Sequence, residues 1–209
     1  MNLDRQKLKQ VFQEMGYSVE FDSKTPGIEQ LDGSIIPFNK IPVVYKEFDP
    51  SELGYYSTFA LSHDEASTFK PKKGSVLVRI LDKGMSYEPI QYMDQYTNVI
   101  EMYFTDIDPI RDEMYDEEEW EFIKSTLNPF DSEKAEFLIN ELDWEKKAEQ
   151  IVVHCHAGIS RSVAIALFLA KYYFEDDENF EAIMKCPKYL PGGNRYVYQL
   201  LEEEFEKIK

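Results

Sequence analysis

Cysteine and histidine are scarce in this chain of 209 residues, which has two of the first and three of the second. Two cysteines cannot build a disulfide framework, and with three histidines the soft ligands for a structural zinc site are missing too. No window reaches the roughly 18 to 20 uninterrupted apolar residues a membrane-spanning helix needs. Met1 to Gly16 carries charges throughout, unlike a secretory signal. Positive charge is also short: 23 basic residues face 40 acidic ones, a formal net charge of −17. A long-range field of that sign repels nucleic acid and anionic membrane, so neither is an expected partner, and an anionic substrate must be captured by local positive charge. The expectation is a soluble cytoplasmic protein with reduced thiols.

What is present is enough apolar and aromatic material for one domain of ordinary size. Leu3, Leu8, Val11, Phe12 and Met15 recur at helical spacing and stop at Gly16. Tyr17 to Lys40 is polar and turn-rich and has no assigned role. "IPVVYK", "SVLVRI" (Ser75 to Ile80), "NVIEMYF" (Asn98 to Phe104) and "QIVVH" (Gln150 to His154) read as strands. Between and after them lie helical patterns: "DSEKAEFLINELDWEKKA", opened by Asp131 or Ser132, the nearly all-apolar "SVAIALFLAKYYF", "ENFEAIMKC", and "NRYVYQLLEEEFEKI" after the turn-rich "PKYLPGGN". Strands alternating with helices predict an α/β fold, a central mostly parallel β-sheet flanked by helices. The expected organisation is an N-terminal helix and extension over residues 1–40 and one catalytic domain over 41–209.

The chemistry concentrates in "HCHAGISRS", His154 to Ser162. A strand ends at His154, a loop turns at Gly158, and a helix opens near Ser160. The first amides of a helix lack partners and its dipole is positive there, so such a loop holds an anion. Arg161 can close its planar fork over two oxygens of that anion. Cys155 faces the same donors, and cysteines at helix N-termini have pKa values of about 3.5 to 7.5, so a thiolate aimed at a captured phosphate is expected to attack phosphorus. The hydroxyl of Ser162 lies within reach of the sulfur and can stabilise it as a leaving group. Gly158 is where the backbone turns without a Cβ.

"HCHAGISRS" resembles the signature of the cysteine-dependent protein tyrosine phosphatases, and its form "HC.AG.SRS" resembles the dual-specificity branch most closely. The likeness extends over about Ile41 to Phe205. It implies Cys155 as nucleophile, Arg161 with the amides of His156, Ala157, Gly158, Ile159 and Ser160 as phosphate binder, Ser162 as an aid to the second step, and His154 as a support for the thiol. It also implies a reaction without cofactor or metal, on a phosphorylated protein or peptide. Outside the motif, His63 reads as a surface or helix-capping residue, and Cys186 as a small buried hydrophobe before Pro187.

The family also uses an aspartate as general acid on a loop upstream of the cysteine. "YFTDIDPIRD" puts Asp106, Asp108 and Asp112 at a strand's C-terminal end, where α/β sites are built. "YFTDI" resembles the "F.D" pattern before the acid in some bacterial-type members and favours Asp106, with the acidic segment Arg111 to Phe130 as an insertion. Asp108 and Asp112 stay open, as does Asp131, which also reads as a helix cap. The expected function is hydrolysis of phosphotyrosine, with phosphoserine and phosphothreonine as further substrates, through a cysteinyl-phosphate. The alternatives are a phosphate-recognition module with little turnover and a phosphatase for a non-protein phosphoester.

Overall fold

The computed structural model describes residues 56–82, 84, 87–112 and 116–208, with the backbone alone at 27–29, 35–37 and 111–112. By compactness the chain falls into two units, residues 1–49 and 50–209. In the first, β1 (Gly27–Glu29) and β2 (Ile35–Pro37) pair antiparallel. The expected N-terminal helix, the strand "IPVVYK" and the boundary between residues 40 and 41 lie outside the described residues.

The second unit holds a four-stranded sheet of β3 (Thr58–Leu61), β4 (Ser75–Leu81), β5 (Asn98–Tyr103) and β6 (Gln150–His154), in the order β3-β6-β4-β5. Every pairing in it is parallel. The α/β fold with a parallel sheet and flanking helices is therefore the one the alternation of patterns predicted. Burial follows sheet position. β6 is central and buried at all five residues, as a strand covered on both faces must be. At the edge, β5 buries Ile100 and Met102 but turns Glu101 and Tyr103 outward, and Glu101 pairs with Arg79 of β4. β3 has no counterpart among the predicted strands, because "TFAL" is too short to show a period.

The helices are α1 (His63–Thr68), α2 (Pro109–Asp112), α3 (Glu117–Thr126), α4 (Ser132–Glu141), α5 (Arg161–Phe168), α6 (Asp177–Lys185) and α7 (Arg195–Ile208). Several begin where a side chain captures a first-turn amide. Ser62 and Glu65 form a reciprocal capping box on α1, Asp116 and Glu119 another on α3, and Asp131 caps α4. The predicted centrality of "SVAIALFLAKYYF" holds: all eight residues of α5 are buried, and the helix continues as a π-helical turn through Phe174. Phe205 of α7 stacks on Trp144 and meets Phe168 edge-on, closing the core on that side.

Strand register places the site. Leu61 and Arg79 both lie beside His154, and Leu81 lies beside Tyr103. The residues that follow these strands (Ser62, Asp82, Phe104 to Asp106, and Cys155) therefore emerge along one carboxyl edge of the sheet, where parallel sheets build their sites.

Candidate active site

The loop from Cys155 to Ser160 joins β6 to α5. Its start is anchored where the Cys155 amide donates to the Leu61 carbonyl at 3.3 Å. Gly158 adopts φ +71°, and a Cβ there would lie 2.5 Å from Leu61 C and 2.7 Å from Ser62 Cα. Only glycine both takes that conformation cheaply and lets the loop lie this close to the end of β3. The buried Cys155 sulfur accepts the Gly158 amide at 3.2 Å and lies 3.3 Å from the Ser162 hydroxyl.

Three of the loop's carbonyls face outward. That of His156 accepts from the His63 amide at 3.1 Å, that of Ile159 from Leu190 at 2.9 Å, and that of Ser160 from Asn194 at 3.2 Å. In a trans peptide the following N–H points opposite to the carbonyl, so the amides of Ala157, Ser160 and Arg161 point away from those neighbours, into the loop. Ser160 stands at the N-cap of α5 but makes no side-chain cap bond; its hydroxyl donates to Asp106 Oδ1 at 2.8 Å instead. The first-turn amides of α5 are thus left for a ligand, at the positive end of the helix dipole. Gly193, at φ +63°, lies against the same helix start, where a Cβ would sit 2.5 Å from the Ala164 amide nitrogen.

Arg161 is buried. Its Nη1 and Nη2 grip Asp82 at 2.7 and 3.0 Å, and Nη1 also donates to the Phe104 carbonyl at 2.8 Å. Nε has no hydrogen-bond partner and lies 3.9 Å from Asp106 Oδ2. Burial works against the guanidinium's charge, but Asp82, Cys155 and Asp106 outweigh it and hold its pKa above the ordinary value. Burial likewise raises the Asp82 carboxyl, yet Arg161 and the Tyr87 hydroxyl outweigh it and keep that carboxyl below the usual range.

Of the four aspartates weighed as general acid, Asp106 reaches the loop. It accepts Ser160 Oγ and Asn194 Nδ2 at 2.8 Å each. Its own segment is braced by the Thr105 amide on the Asn128 carbonyl and by Asn128 Nδ2 on the Tyr103 carbonyl. Asp108 turns instead to the Arg195 amide at the start of α7. Asp131 accepts the Lys134 amide and pairs with the Lys134 ammonium, a capping role. The side chain of Asp112 lies outside the described residues. The acidic segment after this loop forms α2 and α3, and Trp120 meets Tyr196 of α7 edge-on at 5.4 Å.

Two site residues escaped the sequence reading. Asp82 follows "SVLVRIL" directly, so the strand-end reasoning that selected Asp106 applied to it equally. Asn194 ends "PGGN" ahead of a helical pattern, which marks an N-cap, and its Oδ1 does accept the Val197 amide at 3.0 Å. What the pattern does not reveal is that its amide group also holds Asp106 and the Ile107 carbonyl.

The histidines gather beside the loop. His154 is fully buried, and neither ring nitrogen meets a hydrogen-bond partner. Burial, helped by the charge of Arg79, pushes its pKa down to about 3. His63, read from sequence as a surface or capping residue, is buried: α1 begins against the end of β6 and brings its ring to 5.5 Å from His154 and 5.0 Å from Tyr87. Burial lowers its pKa too. His156 is exposed, 6.3 Å from Tyr87. Cys186 is half-buried at the end of α6, and both thiols are free. Among the described residues no three His, Cys, Asp or Glu side chains form a set that could hold a metal ion, and no helix is long and apolar enough to cross a membrane.

No family model matches the chain, and no curated protein matches it. Among solved structures it has a distant likeness to the human tyrosine phosphatase-like serine/threonine/tyrosine-interacting protein, at 17% identity and a TM-score of 0.39, covering 73% of this chain and 94% of that one. A score that low leaves the functional reading to rest on the loop's own geometry.

Proposed function

We propose that this chain is a cysteine-dependent phosphatase that hydrolyses phosphotyrosine in protein or peptide substrates, with phosphoserine and phosphothreonine within its range, and that it works in the cytoplasm. One observation carries the reading: at a strand-to-helix junction the Cys155 sulfur accepts the Gly158 amide and lies 3.3 Å from the Ser162 hydroxyl, at the foot of a helix whose first residue is the buried Arg161.

In the first step the thiolate attacks phosphorus in line with the leaving oxygen. The S–P bond forms as the P–O bond to the substrate breaks, and Asp106 gives its proton to the departing oxygen. The loop amides and Arg161 meet the charge that spreads over the equatorial oxygens. In the second step water attacks the cysteinyl-phosphate and gives a proton to Asp106. The sulfur leaves as a thiolate, steadied by the Ser162 hydroxyl, and inorganic phosphate departs. No cofactor takes part.

The test is hydrolysis of an aryl phosphate by Cys155→Ser, which keeps the loop and removes the nucleophile. Turnover should vanish while inorganic phosphate still binds, and a chelator should leave the unsubstituted protein's activity unchanged. Retained turnover in Cys155→Ser would remove the mechanism. The second reading, a phosphate-recognition module, draws on the two donors that tie Asp106 down; it predicts phosphate binding without turnover at any pH.

A further inference from the structure

We propose that Asp82 is a positioning residue that sets which edge of the Arg161 guanidinium faces the phosphoryl group, an inference that rests on the phosphatase reading above. A guanidinium has five N–H donors in one plane. Asp82 takes one from Nη1 and one from Nη2, and the Phe104 carbonyl takes the other from Nη1. The donors that remain are the second N–H of Nη2 and the N–H of Nε. These two lie on the same side of the plane's outline and form a parallel fork, the spacing that matches two oxygens of a phosphate.

That remaining edge faces the site. Nε is buried without a hydrogen-bond partner and lies 3.9 Å from Asp106 Oδ2, and Asp106 is itself bound to Ser160 of the loop. A buried donor left unmade is costly, so its place beside the loop points to a ligand oxygen as its acceptor. Asp82 is in turn fixed from behind. Tyr87 Oη donates to Asp82 Oδ2 at 3.0 Å and accepts the Asp82 amide at 3.0 Å, and the Tyr87 ring lies edge-on to His63. The carboxylate therefore touches the guanidinium's far edge, acts on substrate through Arg161, and has no bond of its own to the reacting atoms.

The test is a cycle of variants of the full chain, read by the affinity for inorganic phosphate and by aryl phosphate kinetics. Asp82→Asn keeps the shape but sets an N–H against the fork; phosphate affinity should fall about tenfold and kcat/KM about 100-fold, with kcat bearing most of the loss. Asp82→Glu should recover affinity to within about threefold, because the carboxylate pairing is retained. In an Arg161→Lys background, where the cation is a point charge with no edge to turn, Asp82→Asn should change phosphate affinity by less than about twofold. A merely structural aspartate would produce the same loss in both backgrounds. Urea unfolding of each variant separates misfolding from misorientation, and Tyr87→Phe, which keeps the ion pair but removes its backing donor, should weaken phosphate about threefold even if Asp82→Asn does not fold.

Equal losses in both backgrounds overturn the proposal. So does unchanged or tighter phosphate binding by Asp82→Asn, which would make Asp82 a competitor for Arg161. An unsubstituted protein that neither binds phosphate nor hydrolyses the aryl ester overturns the phosphatase reading itself, and is told apart from the other failures by needing no variant.

Discussion

Replacing Gly158 by alanine tests the loop's seating more sharply than any change of a reactive group. The added Cβ would stand 2.5 Å from Leu61 C and 2.7 Å from Ser62 Cα, both backbone atoms, whereas ordinary contact begins at 3.4 Å. The loop must retreat from β3 by more than about 0.9 Å, since the Ser62 amide nitrogen lies nearer still and none of these neighbours is the end of a flexible side chain. Overpacking of this kind costs about 1–3 kcal/mol, and a left-handed alanine about 1–2 kcal/mol more. A combined loss of about 2–5 kcal/mol lowers Tm by roughly 4–20 °C for a domain of this size. The retreat also moves the Gly158 amide off the Cys155 sulfur, and a displacement near 1 Å costs about 100-fold in rate. Gly192→Ala is the control, because Gly192 has φ +74° with nothing within 4 Å of the added carbon. It should lose only about 1–2 kcal/mol of stability and keep its activity. Aryl phosphate kinetics and thermal unfolding on both variants decide the matter. Gly158→Ala with a kcat/KM within tenfold of the unsubstituted protein would refute the seating argument.

Further predictions concern the groups around the loop. The pKa of His154 is depressed to about 3 in the folded chain against about 6.5 unfolded, so its contribution is complete above pH 6.5 and is lost as pH falls toward 3. The loss is on the order of 5 kcal/mol. His63 acts in the same direction. Urea unfolding at a series of pH values should therefore show a shallower acid slope in His154→Asn, by up to about 1.4 kcal/mol per pH unit, and an unchanged slope would contradict the burial argument. Ser162→Ala removes the hydroxyl 3.3 Å from the sulfur; stopped-flow traces should keep their burst while steady-state turnover falls about 10- to 100-fold, as expected for a hydrogen bond to a charged group. Asn194→Ala strips one donor from Asp106 and the cap from α7, and equilibrium unfolding should register a loss of about 1–3 kcal/mol.

The parts of the fold legible in sequence are those whose signal is local. "QIVVH" reads as a buried strand because a central parallel strand is apolar on both faces, and "SVAIALFLAKYYF" reads as a central helix for the same reason. Asp131 reads as a cap because the bond it makes lies three residues away. β3 was invisible because four residues cannot show a period. His63 looked like a surface residue because its neighbours in sequence are polar, while the neighbours that bury it, His154 and Tyr87, come from other segments. Asp82 and Asp106 both follow strands, and nothing in either local pattern says which one the arginine will hold.

Sequence by itself determined the inventory and order of the loop: Cys155, Gly158, Ser160, Arg161 and Ser162, one short segment at a strand-to-helix turn. Only the tertiary structure decided the company that loop keeps. Parallel register brings the ends of β3, β4, β5 and β6 to one edge, and it is there that Asp82 takes one side of the guanidinium, Asn194 and Ser160 tie Asp106, and Leu61 and Ser62 demand a glycine. Contacts between segments far apart in the chain depend on how the strands align, and no short-range pattern of side chains encodes that alignment.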